Sequence, residues 1–280
     1  MFKIISDLGA DLPNSLKNEN SYIVNQTITL DGYERMYDLN DDKSMYLCFE
    51  EIERSSTFAT KAMTYQFLYD TIYFQAKSSD LLCMSFSQRL SGTGMQMQKV
   101  CEELDGKFGK VKYFDTKTAT VGQGILLYWA TICQQSGKSM KQTIEVLDQL
   151  TAHLHLYVLL DVNNHFFSGG RCQGRMQTLP TYPLLYLPIS DLYRPVTEFF
   201  SYHSGINFLE KQLKKQNNAM ITIGHGNNIQ EANDLATRWH HYAPIVNACY
   251  INPVMGAHTG RSPILVAYLE EIPLLNGLRN

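Results

Sequence analysis

Short apolar runs alternate with amphipathic windows along the first half of this chain. FKIIS (2–6), DLLCMSF (80–86), KVKYFD (110–115) and HLYVLLD (155–161) read as strands, and YIVNQTITL (22–30) alternates like one more. Windows at 44–54, 64–77, 92–105 and 120–135 carry a helical period. In the third of these, Met97, Val100, Cys101 and Leu104 recur on one face. A further helix opens at Ser139, with Gln142 as its capping-box partner and Met140, Ile144, Leu147 and Leu150 on its buried side. This strand–helix rhythm predicts a parallel sheet with helices on both faces.

The rhythm changes after about residue 160. FFSGGRCQG is a Gly-rich loop, and TLPTYPLLYLPISDLYRPV sets four prolines among extended apolar residues, which excludes a long helix. YRPVTEFF reads as an edge or hairpin strand. A helix at 205–216, a strand AMITIGH (219–225) and a helix opened by Asn228 and Glu231 follow. Two strands, PIVNACYI and PILVAYL, then flank the loop NPVMGAHTGRS. The expected fold class is α/β in two domains. Residues 1–157 form an N-terminal α/β/α parallel-sheet domain and residues 158–280 a C-terminal mixed-sheet α/β domain, with the boundary near 155–160.

Charge and composition narrow the function classes. The net charge is −3 over 280 residues, with no basic tail, which speaks against nucleic-acid binding. No window approaches the ~20 apolar residues of a membrane span, so no stable membrane insertion is expected. The start, MFKIISDLGADLP, is too short in its apolar part and too soon interrupted by Asp7 to read as a signal peptide. The six cysteines are scattered without zinc spacing, as in a reduced, cytoplasmic protein. The histidines are scattered too, and neither a metal nor a cofactor is expected.

Four polar loops hold the candidate chemistry: FATKAMT (58–64), RLSGTG (89–94), SGGRCQG (168–174) and MGAHTGRS (255–262). Each flanks an apolar run, where α/β proteins place ligands. SGTG stands where a strand turns into a helix. There, hydroxyls serve as caps, or as an anion cradle built on unpaired N–H groups. Thr60 and Thr64 read equally as the start of the next helix, and GGR as a tight turn. His258 and Thr259 between two glycines are harder to assign to a plain surface turn. No nucleophile elbow, P-loop or dinucleotide fingerprint is present. Hydroxyls, an arginine and a histidine without a base partner suit holding an anion better than breaking a bond.

In this order the loops resemble the DegV family of bacterial fatty-acid-binding proteins. The family's TDSTADLP stands here as SDLGADLP, TSQPS as TKAMT, LSGTYQSA as LSGTGMQM, DSKSASMGLG as DTKTATVGQG, GGRIG as GGRCQG, and GPVIGTHTGPGALGVAF as NPVMGAHTGRSPILVAY. The resemblance implies a long-chain fatty acid buried between two α/β domains, its carboxylate held by Thr60, Ser91, Arg171 and His258. Gly92 would offer its backbone, while Lys61 and Thr259 complete the head-group loops. It also implies a carrier that presents the bound acid to a fatty acid kinase and performs no catalysis itself. The alternative is an enzyme resembling the substrate-binding domain of dihydroxyacetone kinase, with His225 or His258 holding a small ketone. The sequence departs from the family at Leu8-Gly9, Lys61, Gly94, LPIS (187–190) and Arg261-Ser262. Lys61, in place of serine, is expected to favour an anion.

Overall fold

The computed structural model describes residues 2–161, 166–173, 181–189 and 191–279. Of the stretches quoted above, Met1, Gly174, residues 178–180 and Ser190 lie outside it. A four-stranded, all-parallel sheet runs in the order β2 (Ser21–Ile23), β1 (Lys3–Ser6), β6 (Leu81–Ser85), β7 (Val111–Asp115). Alternation along β1 and β6 decides its packing. Ile5, Leu81 and Cys83 face helices α2 (Tyr65–Ala76) and α3 (Thr93–Leu104), meeting Leu68, Ile72, Met97 and Val100. Ile4, Leu82 and Met84 belong to the core of the opposite face, together with Ile125, Leu126 and Trp129 of α4 (Thr120–Gln135).

Helix α4 has 13 buried residues among its 16, so it needs apolar partners all round. It finds them between two sheets. On its far side lies a six-stranded mixed sheet in the order β10 (Arg194–Phe199), β9 (Tyr182–Leu187), β8 (Leu154–Leu159), β13 (Ile264–Glu270), β11 (Asn218–His225), β12 (Ile245–Tyr250). Only β11 and β12 pair in parallel. Helix α5 (Met140–Ala152) shares the middle layer with α4, and α6 (Tyr202–Leu213) and α7 (Ile229–Trp239) cover the outer face of the second sheet. A Cβ at Gly124 in α4 would stand 1.9 Å from the carbonyl oxygen of Asp11, so the close approach of these backbones requires glycine.

Two expectations need correction. The stretch 22–30 is not one strand: β2 ends at Ile23, and β3 (Ile28–Leu30) belongs to a small antiparallel sheet with β4 (Tyr33–Arg35) and β5 (Phe58–Ala59). Asn25 makes the break. Its side-chain oxygen accepts the N–H of Gln26 at 2.8 Å and its amide donates to the Tyr37 carbonyl at 2.7 Å. Nor is 255–262 simply a loop, because helix α8 spans Pro253–Thr259. Asn252 caps it by accepting the N–H of Met255 at 2.9 Å, and Pro253 takes the first turn. Gly256 obscured the helical signal. A Cβ there would lie 2.7 Å from the ring of Phe49 in α1 (Asp42–Arg54), so the glycine serves packing.

Candidate functional site

Residues from four distant segments meet beyond the carboxyl ends of the parallel strands. The small sheet ends at Ala59 and delivers Thr60 to α8, where its hydroxyl and His258 Nε2 lie 3.1 Å apart; the tautomer decides which donates. Phe58 sets the His258 ring edge-on, with centroids 5.3 Å apart. Arg171, after the 3-10 turn Phe166–Gly169, reaches across to the other sheet, and its Nε donates to the carbonyl of Leu90 at 3.1 Å. Leu90 precedes Ser91, so the guanidinium is tied to the loop that opens α3.

The Ser91 oxygen accepts the N–H of Thr93 at 3.3 Å, which realises part of the capping role. Its proton remains available to an acceptor. Gly92 holds the cap position of α3. The Thr93 hydroxyl oxygen accepts the N–H of Met63 at 3.1 Å and joins the 58–64 loop to α3. Burial holds the His258 imidazole down to about 4, helped by the positive charge of Arg171. The ring is therefore neutral at pH 7. Burial also lowers the pKa of Arg171.

The remaining residues of the loops stand apart from these bonds. Lys61 is exposed and lines a cavity of about 250 Å³ with Asn25, Met36 and Phe67. Thr259 is buried and donates to the Met255 carbonyl of its own helix at 3.1 Å. Thr64 caps α2 by accepting the N–H of Phe67. Arg261 pairs with Glu50 and Glu53 of α1 at 2.9 and 2.6 Å. A side chain at Gly94 has no room: its Cβ would stand 2.8 Å from the Tyr113 hydroxyl, which is held by Ser85 and Gln88.

Sequence reasoning missed the buried carboxylates beneath the site. Asp7 accepts from the N–H groups of Gly9 and Phe86 and from the Gln123 amide, yet burial still raises it to about 6. Asp11 accepts from the Asn252 amide at 3.0 and 3.1 Å, and burial raises it to about 8. Their signal was an acidic residue among apolar ones just after a strand, but nothing local names the partners. Among the described residues no group is arranged to hold a metal, and His153 and His155 share Glu270 at 3.0 and 2.8 Å. No helix among them is long and apolar enough to cross a membrane.

Fold and site define an α/β protein of two large sheets and one small one, with an arginine, hydroxyls and a neutral histidine gathered where the first sheet's strands end. The family model described as "Uncharacterised protein, DegV family" matches residues 1–271, and the chain belongs to the DegV family. The DegV domain-containing protein YteA of Lactococcus lactis is 28% identical, over 95% of this chain and 96% of its own. DegV from Bacillus subtilis, a fatty acid binding protein, superposes with a TM-score of 0.80 at 18% identity, covering 96% of this chain and 99% of that one. A stearic acid-binding protein from Eubacterium ventriosum superposes with a TM-score of 0.81 at 17% identity, covering 96% and 98%.

Proposed function

We propose that this chain is a non-catalytic carrier. It binds a long-chain fatty acid between the unit built on the four-stranded sheet and the unit built on the six-stranded sheet, to which the whole of β8 belongs, and presents the carboxylate to a partner fatty acid kinase. The observation that carries the reading is the meeting of Thr60 with His258 and of Arg171 with the Ser91 loop. A cation and hydroxyl donors around a neutral imidazole suit a carboxylate. Gly92 adds support. Its φ of −68° suits any residue, and a Cβ there would meet only Ala62 at an ordinary 3.5 Å. Packing does not demand glycine at this position, whereas close approach of a ligand to the backbone does. The fatty acids held by the related proteins agree with this ligand class.

Energetics favour retention. The roughly 14 methylenes of a C16 chain contribute about 11 kcal/mol gross on burial, against several kcal/mol or more for ordering and immobilisation. Native mass spectrometry of protein made in bacteria is expected to show a host fatty acid bound. Ser91→Ala removes one hydrogen bond to the carboxylate and should weaken retention about tenfold or more while leaving the fold intact. Protein that neither carries nor takes up a fatty acid, or that holds a small ketone on His225 or His258, overturns the carrier reading.

A further inference from the structure

A groove at the opposite, amino ends of the parallel strands gathers four lysines on a molecule of net charge −3. Its volume is about 740 Å³. One wall comes from the residues that lead into the strands, Phe2, Asp80 and Lys110, with Lys112 on β7. The other wall is the turn into α5, with Lys138, Met140, Lys141 and Ile144. Phe2, Met140 and Ile144 make an apolar floor beneath an ammonium rim.

The groove's own carboxylates, Asp80 and Glu145, offset part of this charge and, among the described residues, leave Lys110 and Lys138 outside any ion pair. Asp80 is engaged by the backbone N–H of Lys110 at 2.8 Å, and Glu145 stands 3.8 Å from Lys141. Lys112 pairs with Asp105 at 2.5 Å. Among the described residues, no carboxylate comes within ion-pair distance of Lys110 or Lys138. Helix α5 adds to the potential: it has no acidic residue in its first turn and lysines on either side of its start, the reverse of the arrangement that suits a helix dipole. Its capping box occupies the N–H groups of Ser139 and Gln142, while those of Met140 and Lys141 add to the positive end of the helix.

We infer that this groove is a second binding site, for an amphipathic anion. Its carboxylate or phosphate would be held by Lys110 and Lys138, and its apolar body would lie on Phe2, Met140 and Ile144. A volume within the roughly 300–1,000 Å³ of small-molecule pockets suits such a ligand.

The test uses the full chain carrying Ser91→Ala and Arg171→Ala, so that the outcome does not depend on the carrier reading. Dodecyl phosphate, dodecanoate, dodecanol and inorganic phosphate are titrated calorimetrically, and the methyl signals of Met140 and Ile144 are followed by NMR. At least one of the two amphipathic anions should bind, shift those methyls and weaken with added salt. Comparing the two identifies the preferred head group. Dodecanol and inorganic phosphate should bind at least about tenfold more weakly, and Lys110→Gln with Lys138→Gln should cost about tenfold. Lys138→Gln alone serves if the pair does not fold. Binding of neither anion, equal binding of dodecanol, or indifference to the lysines overturns the inference.

Discussion

His258 is the residue whose state is easiest to test. Its folded pKa of about 4 lies below the ordinary 6.5 because the ring is buried, with the Arg171 charge adding to the effect. Between those two values the unfolded chain holds a proton that the folded chain refuses. The stability contributed here is complete above about pH 6.5 and is lost as pH falls toward 4. His225 is lowered in the same way, also to about 4, so wild type alone does not isolate His258. The stability difference between wild type and His258→Gln in urea melts should shrink by roughly 2–3 kcal/mol from pH 7.5 to 4.5. A constant difference would show that His258 titrates like an exposed histidine. A carboxylate bound beside the ring favours its charged form, so the NMR pKa of His258 should rise on loading with fatty acid.

Helix α8 carries His258, and its start rests on one side chain. Asn252 caps the helix through Met255 and donates to Asp11, so it secures two elements at once. Asn252→Ala should cost roughly 2–4 kcal/mol, about 1 from the cap and the rest from a buried carboxyl left without its partner. Asn252→Ser keeps a capping oxygen and should recover about 1 kcal/mol in the same melts. If Asn252→Ser is no better than Asn252→Ala, the cap adds nothing. Legibility differed among elements for a local reason. The Ser139–Gln142 capping box was readable because every partner lies within one turn, and it is present as expected. α8 was not readable, because Gly256 looks like a loop residue until Phe49 is seen against it.

At the scale of the molecule, Asp11 is where three distant pieces meet. Its carboxyl faces Asn252, and its backbone carbonyl lies against Gly124 of α4, between the two sheets. Burial raises its pKa from an ordinary 3.8 to about 8. The folded chain therefore holds a proton that the unfolded chain gives up, and stability falls as pH rises from about 4 to 8. Asp11→Asn keeps the shape and an acceptor for Asn252 without that penalty. It should gain on wild type between pH 5 and 9 by an amount on the order of a few kcal/mol. Asp7 titrates in the same range and its charge acts on Asp11, so the same comparison is made in an Asp7→Asn background. An unchanged difference would mean that Asp11 stays ionised.

The sequence by itself determined what depends on near neighbours. The apolar runs FKIIS and DLLCMSF, the helical window of α4 and the order of the polar loops were legible because each is set within a few residues. The family resemblance, not the loops by themselves, implied Thr60, Ser91, Arg171 and His258 as a group. Only the tertiary structure decided how they meet. Thr60 bonds a histidine 198 positions away, and Arg171 reaches the carbonyl before Ser91. Thr259 turns back onto its own helix, and Lys61 stands exposed at a neighbouring cavity. Such contacts depend on the path of the whole chain, because the direction of a side chain and the room around a glycine are set by elements that pack from elsewhere in the sequence.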